Sequence, residues 1–286
     1  MDKLTTWGQA LDYTFATRDT WRHGNGRKTA LINSGHFTRL RGRSFPISKI
    51  SQPVVTQVCI ELEDEGKSDA TINRIVSAVS TVLNHLAFDG LISGAPKFRR
   101  RKENEHRFRW YTKDEVEQLH QAALDPFDRQ DLAHIIVAAA YTGMRRAELL
   151  TVQAMDIDLA TWQIHVGGRP GFTTKARNYR VIPIHERIRG LVSDRLQYAT
   201  PSVKLFGDEW TGGDQLLRAY NKARNYIRKD ETYCFHTLRH SFATWCNDAG
   251  VPVRTIMDLM GHKRVETTLR YAKVSDQARE EAILAI

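Results

Sequence analysis

The segment from Lys97 to Arg109 constrains this chain more than any other feature. It reads KFRRRKENEHRFR, follows Gly94-Ala95-Pro96, shows no apolar period and carries seven basic residues. Such a run cannot be the inside of a helix or strand that buries one face. It predicts a basic connection between two folded parts, divided as residues 1–96, 97–110 and 111–286. Either part is long enough to bury a core, the first with little to spare.

Upstream of that connection the apolar residues repeat with helical period. Thr6-Trp7-Gly8-Gln9 is a capping-box-like start, and Trp7, Leu11 and Phe15 follow at i, i+4 and i+8. Further helices are predicted over residues 27–40 and from Ser51 to Glu65, where Gly66 is the stop. The clearest begins after Ser68. Ile72, Ile75, Val76, Val79, Val82, Leu83 and Leu86 form one stripe that ends at Asp89-Gly90.

Downstream, Thr112-Lys113-Asp114-Glu115 opens a second helical region with a capping box. A strongly apolar helix over 129–142 ends at Thr142-Gly143, and a short one runs from Arg145 to Val152. The period then changes. Trp162 to Val166, Thr173 to Lys175 and Arg180 to Ile184 alternate like strands, with turns at Gly167-Gly168-Arg169-Pro170-Gly171 and Ala176-Arg177-Asn178. Helices return at 186–198, 213–229, 236–249, 252–260 and 264–272, with a last one from about Ser275. The fold class is therefore mainly α with a small antiparallel sheet in the C-terminal part.

Charge follows the same division. The 42 Lys+Arg exceed the 33 Asp+Glu by nine, and residues 1–110 hold 18 basic against 11 acidic side chains, most of that excess. An imbalance placed like this points to a polyanion partner for the first part. Hydrophobic residues at 41% and charged ones at 26% exclude wholesale disorder. No stretch approaches 18 consecutive apolar residues, and the start lacks a basic-then-apolar signal pattern. Three cysteines fit a reducing compartment. The expectation is a cytoplasmic protein without a membrane partner.

Five segments carry chemistry: Thr142-Gly143-Met144-Arg145-Arg146-Ala147-Glu148-Leu149; Thr174-Lys175; His236-Thr237-Leu238-Arg239-His240; Gly261-His262-Lys263; and Tyr271. Each alone is weak, since an Arg after a helix-terminal Gly is usually a surface group and a His on an amphipathic helix usually structural. Their order and spacing are specific. Over residues 112–275 the chain resembles the catalytic domain of the tyrosine recombinases, the phage integrase family, whose pattern is Arg, Lys, His-x-x-Arg, His or Trp, then Tyr. Arg145, Lys175, His236, Arg239, His262 and Tyr271 fill it in turn. Residues 1–96 resemble the family's helical core-DNA-binding (SAM-like) domain in architecture only. The resemblance implies a two-domain C-shaped clamp on DNA.

The residue types suit phosphodiester exchange. Such a reaction needs a nucleophile, neutralisation of charge at the phosphate, and a proton for the leaving 5′ oxygen. A phenol can attack and later leave, and the phosphotyrosyl ester retains the bond energy. The resemblance makes Tyr271 the nucleophile of a 3′-phosphotyrosyl intermediate. Arg145 and Arg239 would clamp the non-bridging oxygens, because guanidinium stays charged and bonds bidentately. Lys175 resembles the family's general acid. His236 is the expected proton acceptor for Tyr271, since imidazole titrates near neutrality. His262 would hydrogen-bond the phosphate, and Glu148 would orient or balance its basic neighbours. Arg180 and His240 match accessory positions. In the connection, Arg99, Arg100, Arg101 and Lys102 are the expected DNA-backbone contacts.

The resemblance further implies double-stranded DNA attachment sites as substrate, and strand exchange by a homotetramer through a Holliday junction. Protomers would be joined by the tail helix from Ser275, with accessory DNA-bending or directionality proteins, at the nucleoid of a bacterial cell. Many phage integrases carry an additional N-terminal arm-binding domain, and no segment before Thr5 matches one. No cofactor or metal is expected. Cys234, His236, His240 and Cys246 crowd together, but no H-E-x-x-H or C-x-x-C partners them, and buried structural cysteines are the better account. Two rivals remain: a type IB topoisomerase-like enzyme that nicks and reseals, and a non-catalytic DNA-binding module, which would need no nucleophile.

Overall fold

The computed structural model describes residues 4–103, 108–172, 179–207, 210–211 and 213–271. The chain divides into two compact units, Met1–His106 and Arg107–Ile286, each with its own apolar core.

The first unit is helical. Helix α1 (Trp7–Thr17) starts in a full capping box, with Thr6 Oγ1 accepting from Gln9 N and Gln9 Oε1 accepting from Thr6 N. Short α2 (Asp19–Arg22) precedes α3 (Gly24–Arg41), so the helix predicted at 27–40 begins earlier than its apolar pattern. Helix α4 (Gln52–Asp64) ends ahead of Gly66, whose φ is +77°. Helix α5 (Asp69–Phe88) is capped by Ser68, and its predicted stripe is buried from Ile72 to Leu86. That stripe shares a core with Trp7, Leu11, Phe37, Val55, Val58 and Leu62. Each such side chain contributes about 1.5–3 kcal/mol by leaving water.

The start of the basic segment belongs to this unit. Asn73 on α5 clamps its backbone, donating to Arg101 O at 2.9 Å and accepting from Arg101 N at 2.9 Å. Arg99 N donates to Gln52 Oε1 at 2.8 Å. Arg101 pairs with Glu63 at 2.8 Å and Asp69 at 3.1 Å and donates to the Cys59 carbonyl. Arg100 bonds Asn73 O and Ser77 Oγ. Residues 97–103 are thus a strap on α4 and α5. The charge of Arg101 is answered from within, while Arg99, Arg100 and Lys102 stay exposed.

In the second unit, α6 (Lys113–Leu124) begins in the Thr112/Glu115 capping box. Helix α7 (Gln130–Thr142) is buried along most of its length, the pattern of a helix surrounded by others. It packs against α6 and, further along the chain, α9 (Glu186–Leu196) and α11 (His236–Asp248). Between come α8 (Arg146–Leu149) and an antiparallel sheet in the order β1 (Ile157–Asp158), β2 (Gln163–Val166), β3 (Arg180–Pro183). Ile164 faces Ile157 on one side and Ile182 on the other. The first strand, Ile157–Asp158, is one the sequence pattern did not mark, and the strand expected at Thr173–Lys175 lies outside the described residues. Helices α10 (Gly213–Tyr226), α12 (Val253–Met260) and α13 (Val265–Leu269) complete the unit. The tail helix expected from Ser275 also lies outside the described residues. Cys234 is exposed and Cys246 half-buried, which corrects the expectation of two buried cysteines. Among the described residues no helix is long and apolar enough to cross a membrane.

Candidate active site

The site is built where α7 and α12 end. Gly143 stops α7 in the left-handed region at φ +62°, and a Cβ there would lie 2.5 Å from the Phe242 ring. Only glycine fits both the conformation and the approach. The chain then leaves in extended form through Arg145, the N-cap of α8. Glu148, one turn on, accepts from Arg145 N at 2.8 Å and from Arg145 Nη1 at 3.0 Å. Arg145 Nη2 reaches across to the Gly261 carbonyl at 2.9 Å.

Helix α11 supplies Arg239, a long side chain only 2% exposed. Its Nη1 donates to Gly143 O at 2.5 Å and its Nη2 to Met260 O at 2.6 Å. Arg145 and Arg239 therefore cap adjacent carbonyls at the C-terminal end of α12, where the helix leaves acceptors without intrahelical donors. Gly261 turns the chain at φ +64°, and His262 follows with its Nδ1 2.8 Å from Thr268 Oγ1.

Tyr271 comes just after α13. Its side chain is 5% exposed, and its hydroxyl shares a 2.7 Å hydrogen bond with His240 Nδ1. His236, one turn earlier on α11, lays its ring edge-on to His240 at 4.7 Å. Phe108 packs against both Tyr271 and His240, and the His262 ring stacks parallel to the phenol at 6.5 Å.

Electrostatics follow from this packing. Burial pushes the Glu148 carboxyl up, but Arg180, donating to both its oxygens, and Arg145 together hold it below the usual carboxylate range. Burial, with Arg145 nearby, draws Arg239 down to about 9, so it stays cationic at neutral pH. Among the described residues Arg145, Arg180 and Arg239 thus face one carboxylate, Glu148. Burial, with Arg239 and Arg145 adding repulsion, lowers His236 and His262 to about 4. Burial and His236 lower His240 to about 3. Burial raises the Tyr271 phenol to about 12 against the pull of Arg239 and Arg270. Excess fixed positive charge, neutral imidazoles and a protonated phenol describe a site awaiting an anion and a deprotonation.

The profile of the phage integrase family matches residues 109–278, more than half of the chain. The chain belongs to the phage integrase family, the tyrosine recombinases. Members of this family are DNA strand-transferring enzymes. Among curated relatives, a tyrosine recombinase of Thermosipho africanus is 27% identical over 78% of this chain and 78% of its own length. The tyrosine recombinase XerA of Thermococcus kodakarensis is 29% identical over 75% of this chain and 74% of its own. Among solved structures, the Tn1549 transposon integrase in complex with transposon right end DNA superposes with a TM-score of 0.75 at 18% identity, covering 98% of this chain and 99% of that one. A lambda integrase dimer bound to a core site gives 0.71 at 19%, covering 96% and 78%. At these identities the structures share the fold.

Within this recombinase the sequence-predicted Arg145, Glu148, His236, Arg239, His262 and Tyr271 gather around the ends of α7 and α12. Lys175 lies outside the described residues. Arg99, Arg100, Arg101 and Lys102 belong to the other unit. The imidazole that meets the phenol is that of His240, one turn along α11 from His236. Arg180, whose Nε also donates to Leu259 O at 2.8 Å, is a second member that sequence reasoning left as accessory. The i, i+4 spacing of His236 and His240 on one helix was the available signal for the first. For Arg180 it was the position at the foot of the hairpin.

Proposed function

We propose that the protein is a site-specific DNA recombinase, cutting and rejoining duplex DNA through a 3′-phosphotyrosyl intermediate. The observation that carries this is the convergence of Arg145 and Arg239 on the carbonyls of Gly261 and Met260, with three guanidiniums facing one buried carboxylate beside the buried phenol of Tyr271. In the first step the Tyr271 oxygen forms a bond to phosphorus, the bond from phosphorus to the 5′ oxygen breaks, and the phenolic proton leaves. Arg145 and Arg239 meet the developing charge with fixed donors, each worth roughly a hundredfold or more in rate. Glu148 holds Arg145, and Arg180 holds Glu148.

The bound phosphodiester also changes the imidazoles. Burial is the larger cause that lowers His236 and His262, and the phosphodiester's negative charge would offset only the guanidinium repulsion added to it, so their basicity would rise in part once substrate is in place. His236 or His240 then takes the phenolic proton, and His262 bonds the phosphate. Lys175 is the proposed acid for the leaving 5′ oxygen. The first unit and its basic strap grip the duplex, and the second performs the chemistry. Related structures solved on DNA ends and core sites support attachment sites as substrate. Exchange would run through a Holliday junction held by four protomers joined by the tail from Ser275, with accessory DNA-bending or directionality proteins, at the nucleoid of a bacterial cell.

The test is a suicide substrate carrying a candidate attachment site. Wild-type protein should give a covalent adduct at a 3′ phosphate, in EDTA as well as without it, followed by recombinant product. Tyr271→Phe should bind DNA and give no adduct. An adduct from that variant would remove Tyr271 as nucleophile, and resealing without product would favour the topoisomerase reading.

A further inference from the structure

We propose that Phe108 is a positioning residue for Tyr271: its ring sets the angle at which the phenol is presented to the phosphate. The inference rests on the reading of Tyr271 as nucleophile. Phe108 sits at the beginning of the second unit, in a run of charged residues, yet its ring is tucked against the nucleophile. It meets Tyr271 edge to face, at 4.8 Å and 82°, and His240 at 4.5 Å and 56°. It therefore touches both partners of the 2.7 Å hydrogen bond between the phenol and His240 Nδ1.

Tyr271 has need of such a seat. It follows the five-residue α13, and among the described residues its backbone tie is a turn bond, Tyr271 N to Thr268 O at 2.9 Å. The phenol is fixed mainly by rings: Phe108 on its face or edge, the parallel His262 ring at 6.5 Å, and His240 at its hydroxyl. These surround a small apolar cluster, separate from the main core, in which Ala243, Cys246, Ile256 and Met260 come from α11 and α12. Among the described residues Phe108 alone enters that cluster from the far end of the chain. An edge-to-face aromatic contact is directional, because a positive ring edge seeks a negative face. Attack by a held nucleophile is steep in distance and angle. A directional contact on the reacting ring is therefore worth more to cleavage than to folding.

Three variants separate positioning from filling. Phe108→Leu keeps much of the volume and loses direction, Phe108→Tyr keeps the ring and its direction, and Phe108→Ala loses both. Urea unfolding, DNA affinity and single-turnover cleavage of the suicide substrate are measured on each, with the Tyr271 phenol titrated by carbon NMR and assigned by its loss in Tyr271→Phe. Phe108→Leu should fold and bind like wild type and cleave roughly three- to tenfold more slowly. Phe108→Tyr should cleave within about twofold of wild type. In Phe108→Ala the phenol should titrate lower than in wild type, since burial is what raises it, while His240, His262, Arg239 and Arg270 still face it. Wild-type cleavage with an unmoved phenol titration in Phe108→Leu and Phe108→Ala would overturn the proposal. So would losses in both Leu and Tyr variants that simply track stability. If wild-type protein forms no adduct, both this inference and the proposed function fall. If it forms adduct and Phe108→Leu matches its rate, this inference alone falls.

Discussion

Arg180 and Glu148 close a buried two-point ion pair, Nη2 to Oε2 at 2.7 Å and Nη1 to Oε1 at 3.2 Å, with the two side chains 7% and 4% exposed. The same carboxylate fixes Arg145, so one acid holds two arginines of the site at once. Glu148→Ala leaves two guanidiniums without their carboxylate, and urea unfolding should show a loss of about 3–5 kcal/mol. Glu148→Gln should cost less, because the amide oxygen still accepts, yet it should slow adduct formation by loosening Arg145. Equal stability of Glu148→Ala and wild type would mean the pair contributes nothing.

The turn that delivers Arg145 also holds Arg239. Gly143 is left-handed, its missing Cβ admits Phe242, and its carbonyl accepts Arg239 Nη1. Gly143→Ala should lose about 1–2 kcal/mol from the backbone alone, and more from overlap with the ring. Because the carbonyl moves with the turn, cleavage should fall further than stability. A variant as stable and active as wild type would show that the turn relaxes freely.

His240 is the imidazole at the phenol, so its removal should act directly on Tyr271, the proposed nucleophile. His240→Ala should bind DNA normally and form adduct at least roughly tenfold more slowly, with His240→Asn partly restoring the rate by placing a polar atom near Nδ1. Single-turnover cleavage decides it. An unchanged rate in His240→Ala would return the proton acceptor's role to His236 alone.

The same residues mark where the sequence was legible. The helix over Asp69–Phe88 could be read because Ser68 caps it and its apolar residues keep one period to the end. Arg145, Glu148, His236, Arg239, His262 and Tyr271 could be read because each lies in a short ordered motif. What could not be read depends on angles between elements. The phenol meets His240 because α11 and α13 both pack on α12, an arrangement that no spacing encodes. Phe108 looks like one apolar residue in a solvated run until the cluster behind it is known. Strand β1 has two residues, too few to show a period of two.

Acid should unfold this protein through its imidazoles. His236 and His262 lie near 4 and His240 near 3 in the folded chain, against about 6.5 when unfolded. Between those values the unfolded chain binds protons that the folded chain refuses, so stability rises with pH across that window. It is complete above about 6.5 and declines as pH falls toward 4, with uptake of up to about three protons on unfolding. Glu148, whose pKa is also lowered, adds a loss at still lower pH. Thermal unfolding between pH 4.5 and 7.5 should show the decline, and His240→Asn should flatten it. A flat wild-type profile would contradict the lowered basicity of these rings in the folded chain.

The basic strap divides into two kinds of arginine. Arg101 is held by Glu63 and Asp69, so its charge is partly neutralised within the unit, whereas Arg99 and Lys102 are exposed. Removing one cation that neutralises a phosphate should flatten the log–log salt dependence of DNA binding by about one unit. Arg99→Gln and Lys102→Gln should each do so with stability unchanged. Arg101→Gln should instead cost about 1 kcal/mol or less of stability, as expected of an ion pair at a surface, and leave the salt slope nearly as it was. A slope change for Arg101→Gln as large as for Arg99→Gln would show that its two acids release it to DNA.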